Sequence, residues 1–285
     1  MNAGRIETPA PPVRHIAVGE DAFEYVDVGR GPPVLFLHGA PGDWRMWRRH
    51  CAALSARFRA ISYTQRYFGI VRWRADGPPF GTATHANDLV AFAEALGAGR
   101  PAVVAWSYAG HAVLQAALTR PDLFSRMLVF EPGVASYVAD PDELAAFARS
   151  AHAMFAPVLE AVQGGDNKEA VRRLVNASGG DHGYFDRQSV ERRTVQFDNA
   201  HAMPRLFAQV PPPHIGSEDL GRLRLPVSIR WGALSRDVFT ISSRPAARAI
   251  PTGSHAEVPG VGHLWPEEDP NGFAAMVEEW LHERI

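Results

Sequence analysis

Four nearly continuous apolar runs restrict what this chain can fold into: Val34-Leu35-Phe36-Leu37, Ala60-Ile61-Ser62-Tyr63, Ala102-Val103-Val104-Ala105-Trp106 and Met127-Leu128-Val129-Phe130. None alternates apolar with polar residues, so none suits a strand with one wet face. Each reads as a strand covered on both faces, as in a parallel sheet. Parallel neighbours need crossovers of about a dozen residues or more. Segments with helical character lie between the runs at 44–56, 84–96 and 108–119, the last stopping at Arg120-Pro121. In the second, Leu89, Val90, Phe92, Ala93 and Leu96 make an apolar stripe beside Asn87 and Asp88. This alternation predicts a mostly parallel, doubly wound α/β sheet with right-handed crossovers.

The pattern has a prelude, an interruption and a return. Stretches 13–18 and 24–28 flank Gly19-Glu20-Asp21 and predict a hairpin. Between 133 and 221 there is no buried strand run, but helical stripes such as Leu144, Phe147, Ala151, Met154, Phe155 and Leu159, with Gly179-Gly180 and Pro211-Pro212-Pro213 as breaks. Val227-Ser228-Ile229-Arg230-Trp231-Gly232 then resumes the strand pattern, followed by a helix at 240–250, a strand at 255–259 and a closing helix at 273–284. The expected organisation is one α/β core made of 1–132 and 222–285, with 133–221 inserted as a helical cap over the sheet.

Composition removes other classes. Twenty-nine Lys and Arg against 31 Asp and Glu leave a net charge of −2, so there is no basic face for nucleic acid. Cys51 is the only cysteine, which excludes an intramolecular disulfide and a Cys-based zinc site. No apolar run reaches the length of a membrane span, and the proline-bearing start, 1–18, lacks a signal-peptide core. The reading is a soluble, cytoplasmic protein with no metal, no nucleic-acid partner and no membrane partner; the oligomeric state stays open.

Candidate chemistry gathers at predicted strand ends. In Ala105-Trp106-Ser107-Tyr108-Ala109-Gly110 a strand turns directly into a helix, with small residues two positions either side of Ser107. His38-Gly39-Ala40-Pro41-Gly42 follows the first buried strand. A glycine-bearing loop there can turn backbone amides inward; Pro41 has no N–H, and Ala40 is the loop's candidate donor. Pro259-Gly260-Val261-Gly262-His263 follows the last strand, where an imidazole can reach the same sheet edge as Ser107 and exchange its proton.

Taken in this order, these segments resemble the α/β-hydrolase superfamily from about Glu24 onward, the Ser107 hexamer resembling its nucleophile elbow with both motif glycines replaced by alanine. The resemblance implies the α/β-hydrolase fold, an oxyanion hole from the Ala40 and Tyr108 amides, Ser107 as nucleophile, His263 as base, the 133–221 insertion as a cap, and no cofactor. Dehalogenases and epoxide hydrolases of this fold use a carboxylate nucleophile, so a serine points to acyl transfer on an ester or lactone. C–C bond hydrolysis, cofactor-free perhydrolase chemistry and a hydrolase-like receptor with little turnover are the alternatives.

The third member of such a site is a carboxylate, usually an Asp three residues after the glycine closing the strand here called Val227 to Gly232. That position is Ser235. Two carboxylates remain: Asp237, two residues on, and Glu131, at the end of the 127–130 run. Zearalenone-type lactonases take their acid from that earlier strand end, and the resemblance favours Glu131 with Asp237 as the alternative. Trp44, Trp106 and Trp265 are the expected substrate-pocket residues by position, with Phe147, Phe155, Tyr184, Phe185 and Phe207 as candidates from the insertion. Arg66, Arg72 and Arg74 read as a solvated charged loop, with steering of an anionic substrate the other reading.

Overall fold

The apolar runs become the middle of one sheet in the computed structural model, which describes residues 11–284. The first ten residues, part of the proline-bearing start read above, lie outside the described residues. The strands are β1 (Arg14–Val18), β2 (Asp21–Val28), β3 (Pro33–Leu37), β4 (Arg59–Tyr63), β5 (Ala102–Trp106), β6 (Arg126–Phe130), β7 (Val227–Gly232) and β8 (Ala256–Val258), in spatial order β1-β2-β4-β3-β5-β6-β7-β8. The β1–β2 hairpin is antiparallel and β2 joins β4 antiparallel; every later pairing is parallel. Strand periodicity sends Phe36, Val104 and Leu128 into one core and Leu35, Val103 and Val129 into the other, all six fully buried.

Helices α1 (Arg48–Leu54), α2 (Thr82–Leu96) and α3 (Ala109–Thr119) are the expected crossovers, the first preceded by a 3₁₀ turn at Trp44–Trp47 rather than running on from 44. Between β6 and β7 come α4 (Pro141–Gln163), α5 (Asn167–Gly179), α6 (Tyr184–Arg187), α7 (Val190–Asp198), α8 (Met203–Phe207) and α9 (Ser217–Gly221), with no strand. The chain closes with α10 (Asp237–Ala249), α11 (Trp265–Glu268) and α12 (Pro270–His282). Both α10 and α12 begin three residues earlier than their apolar stripes suggested. At α12 the reason is the Asp269 carboxylate, which caps the Gly272 amide at 2.9 Å. No helix among the described residues is long and apolar enough to cross a membrane.

This strand order creates the site. The chain leaves β3 for β4 on one side and returns to β5 on the other, so the loops after β3 and β5 diverge and open a crevice at the carboxyl edge. The two loops still touch at their roots: a Cβ on Gly39 would lie 3.3 Å from the Ser107 Cβ and 3.3 Å from the Trp106 ring. A side chain at Gly39 would force these neighbours apart by a few tenths of an ångström.

Candidate active site

Ser107 and Glu131 occupy equivalent places at the ends of β5 and β6, and both have left-handed backbone, φ 56° and 55°. For non-glycine residues this costs on the order of 1 kcal/mol each, and it breaks the strand alternation so that each side chain leaves the sheet edge. Both backbones stay tethered: the Ser107 amide donates to Phe130 O at 2.9 Å and the Glu131 amide to Arg230 O at 3.0 Å. The motif alanines, Ala105 and Ala109, are fully buried and fit. The place that tolerates no side chain is Gly110, where a Cβ would meet Val129 at 2.7 Å and Pro132 at 3.0 Å.

His263 brings the two together. The Ser107 hydroxyl lies 3.0 Å from His263 Nε2, and Nδ1 lies 2.5 Å from Glu131 Oε2. An ionised carboxylate only accepts, so the ring proton sits on Nδ1 and Nε2 is free to accept from the serine. Glu131 is fully buried, and its other oxygen accepts the Gly232 amide at 2.6 Å. Gly232 thus holds the carboxylate instead of introducing one. Ser235 carries no charge, and Asp237 is exposed in the first turn of α10 and makes no hydrogen bond to His263. Of the two candidate acids, the fold brings only Glu131 to the imidazole.

Two aromatic side chains hold the imidazole's orientation. Phe239 stacks on it at 3.5 Å and 5° between planes, and the Trp106 indole N–H donates to the His263 carbonyl at 3.0 Å. The stacking role of Phe239 was invisible in the sequence, because it arises from α10 folding back over the loop after β8. The Ala40 and Tyr108 amides flank Ser107, and neither donates a hydrogen bond to any described residue. Tyr108 is fixed at its far end, where its hydroxyl donates to His85 Nδ1 at 2.8 Å while His85 Nε2 donates to Arg66 O at 3.0 Å. His38 is structural: Nδ1 donates to Gly39 O at 2.9 Å, and Nε2 accepts the Gln65 amide at 3.0 Å. Burial lowers its pKa to about 4 and that of His85 to about 3, so both rings stay neutral.

Ser107 opens into a cavity of about 480 Å³ whose upper walls come from α4, α5 and α8, including Phe147, Met154, Phe155, Leu174 and Phe207. Among the described residues, no Asp, Glu, Lys or Arg is one of its walls. Thr82, Ser178 and Gln209 are its few polar points, together with His111, whose Nε2 donates to Pro213 O and whose Nδ1 accepts the Tyr137 hydroxyl.

Several expected pocket residues lie elsewhere. Trp44, Trp106 and Trp265 are not walls of this cavity. Trp44 opens the buried 3₁₀ turn, Trp106 packs edge-on against Trp47 and beside the His263 ring, and Trp265 packs on Phe130 and Phe273. From the insertion, Phe147, Phe155 and Phe207 line it, whereas the Tyr184 hydroxyl binds Glu268 and Phe185 packs on Phe197. Arg66 is neither solvated nor a steering group: it is buried between Asp88 and Asp21, while Arg74 pairs with Asp76 and Glu20 at the surface.

A serine, an imidazole and a buried carboxylate in one hydrogen-bonded line, at the carboxyl edge of a mostly parallel sheet, define the class: a hydrolase of doubly wound α/β architecture. The chain belongs to the alpha/beta hydrolase family, which it matches over residues 34–276. It is 27% identical to the magnesium-chelatase 30 kDa subunit of Rhodobacter capsulatus over 93% of this chain and 92% of that protein. An epoxide hydrolase of Caballeronia sordidicola is 33% identical, but the match spans 38% of this chain and only a third (33%) of that protein's length. Among solved structures, a bromoperoxidase from Bacillus anthracis superimposes with a TM-score of 0.75 at 20% identity, covering 95% of this chain and all (100%) of that one, which speaks for the fold.

Proposed function

We propose that this hydrolase cleaves an uncharged, largely apolar carboxylic ester or lactone through an acyl-enzyme, with Ser107 as nucleophile, His263 as general base and acid, and Glu131 as the carboxylate that orients and stabilises the imidazolium. The observation that carries the reading is the continuous Ser107–His263–Glu131 hydrogen-bond line opening into a cavity without a charged wall. As Ser107 attacks the carbonyl, Nε2 takes its proton and the Ala40 and Tyr108 amides donate hydrogen bonds to the oxygen on which charge develops. Collapse expels the alcohol with the proton from Nε2, and water then clears the acyl group by the same steps in reverse order. The helices of 133–221 act as the cap that sets substrate shape. The walls among the described residues, mostly apolar with Thr82, Ser178 and Gln209, suit a neutral substrate, since an unpaired carboxylate is costly to bury there.

The identity of the nucleophile separates this reading from the epoxide hydrolase relative and from the dehalogenases of this fold. Opening an epoxide or displacing a halide with serine would leave an alkyl ether, which has no carbonyl for water to attack. An acyl-serine has one. The test is turnover of neutral p-nitrophenyl esters and lactones, with mass spectrometry of the enzyme after an organophosphonate. Stoichiometric labelling of Ser107 and loss of about a million-fold in kcat on Ser107→Ala, with unchanged circular dichroism, are expected. Retention of a tenth of the activity in that variant would remove Ser107 as nucleophile.

A further inference from the structure

A second recess adjoins Ser107. It shares Ser107 and His263 with the large cavity but is closed by a different set of groups: Trp106, Met46, Gln196 of α7 and Glu267 of α11. Its volume is about 20 Å³. That is room for about one water, which also needs polar partners to stay. Gln196 and Glu267 are both buried, at 2% and 6% exposure. Gln196 Nε2 donates to Glu267 Oε2 at 3.2 Å, whereas Gln196 Oε1 has no partner among the described residues. A buried amide oxygen fixed through its own nitrogen and left unpaired is costly unless something donates to it.

The supply of water matters because the acyl chain occupies the large apolar cavity at the moment water is needed. An outer recess of about 40 Å³, rimmed by Arg45, Arg48, Arg49 and Arg192, shares Met46 and Glu267 as walls with the inner one. Arg48 and Arg49 are solvent-exposed, so the outer recess opens to water and only Met46 and Glu267 stand between it and the inner one.

We propose that Gln196, braced by Glu267, is the positioning residue for the water that deacylates Ser107; the proposal rests on the serine-hydrolase reading above. In the step, one O–H of the water donates to His263 Nε2 and the other to Gln196 Oε1, which turns an oxygen lone pair toward the acyl carbon. The new C–O bond forms as Nε2 takes the first proton. The tetrahedral oxyanion then collapses, the bond to Ser107 Oγ breaks, and Nε2 returns the proton to Oγ. Acyl-serine and water thereby give carboxylic acid and free serine, with no other reactant.

The test is stopped-flow hydrolysis of a neutral p-nitrophenyl ester by the wild type and by Gln196→Met, which keeps length and removes the acceptor. The burst amplitude counts folded, acylating sites, so both rates are read per competent enzyme; Gln196→Ala is the second variant should Gln196→Met not fold. The expected result is an acylation rate and kcat/KM within twofold of wild type, with deacylation slowed about tenfold, the factor for one hydrogen bond. When deacylation limits turnover, kcat and KM then fall together. A merely structural role would slow acylation equally, and that outcome, or unchanged deacylation, overturns the proposal. A wild type without a Ser107-dependent burst would instead refute the serine-hydrolase reading itself.

Discussion

Replacing Glu131 by glutamine keeps the side chain's shape and changes only what its ends offer. In the wild type both ends accept: one oxygen takes the Gly232 amide at 2.6 Å, the other His263 Nδ1 at 2.5 Å. Glutamine has one acceptor and one donor for these two donors, in a fully buried place. With its amide NH₂ against Gly232, two buried donors face each other, at a cost of about 1–3 kcal/mol. With the NH₂ toward the imidazole, every group is satisfied, but Nδ1 must then accept and the ring proton moves to Nε2, where it faces Ser107 and blocks proton abstraction. The second arrangement wins, and the wrong tautomer costs up to about ten-thousand-fold in kcat, about 5 kcal/mol. If the first arrangement survives as a minority, its population limits the loss to between about fivefold and about 150-fold, as 1–3 kcal/mol implies. Asp237→Asn, at an exposed first-turn position, leaves kcat within twofold and costs at most about 1 kcal/mol of stability through the helix dipole. The assay is kcat on one neutral p-nitrophenyl ester for both variants, with circular dichroism as the folding control. A Glu131→Gln enzyme within tenfold of wild type beside a crippled Asp237→Asn would refute the reasoning.

Phe239→Ala removes the ring stacked on His263 and frees the imidazole to rotate; kcat falls roughly tenfold with the fold intact, as the worth of an aromatic pair, about 0.5–1.5 kcal/mol, suggests, and an unchanged kcat would show that Glu131 and Ser107 alone set the ring. Burial raises the Glu267 pKa from 4.5 to about 7. The folded chain therefore holds a proton that the unfolded chain has lost between those values, and stability declines as pH rises from 4.5 through about 7, by about 3 kcal/mol from this group. Glu267→Gln removes that loss, so its urea-unfolding stability relative to wild type grows from pH 5 to pH 8; a constant difference would contradict the assignment. His38 and His85, with pKa values lowered to about 4 and about 3, act in the opposite direction, withdrawing stability as pH falls below about 6.5.

Much of this protein is local information. Two-sided strands announce themselves because a residue buried on either face must be apolar, so the runs at 34–37, 60–63, 102–106 and 127–130 specify the sheet without reference to anything distant. Ser107, His263 and the Ala40 loop were legible for the same reason: each sits at a strand end whose position follows from its run. What the chain could not state locally is which distant groups meet. That Glu131 and not Asp237 meets the imidazole follows from β6 and β7 lying side by side, so that the Gly232 amide points at one carboxylate and helix α10 carries the other into solvent. The three tryptophans do not line the large cavity because the 3₁₀ turn, the end of β5 and the packing of α11 on α12 bury them against core neighbours, Trp106 reaching only the small recess beside Ser107, and those neighbours are not revealed by sequence proximity. Phe239 over His263, and Gln196 beside Glu267, exist only because separate elements, α10 with the loop after β8 and α7 with α11, are packed together. Side-chain pattern determined the layers; the order in which the strands were stacked decided the chemistry between them.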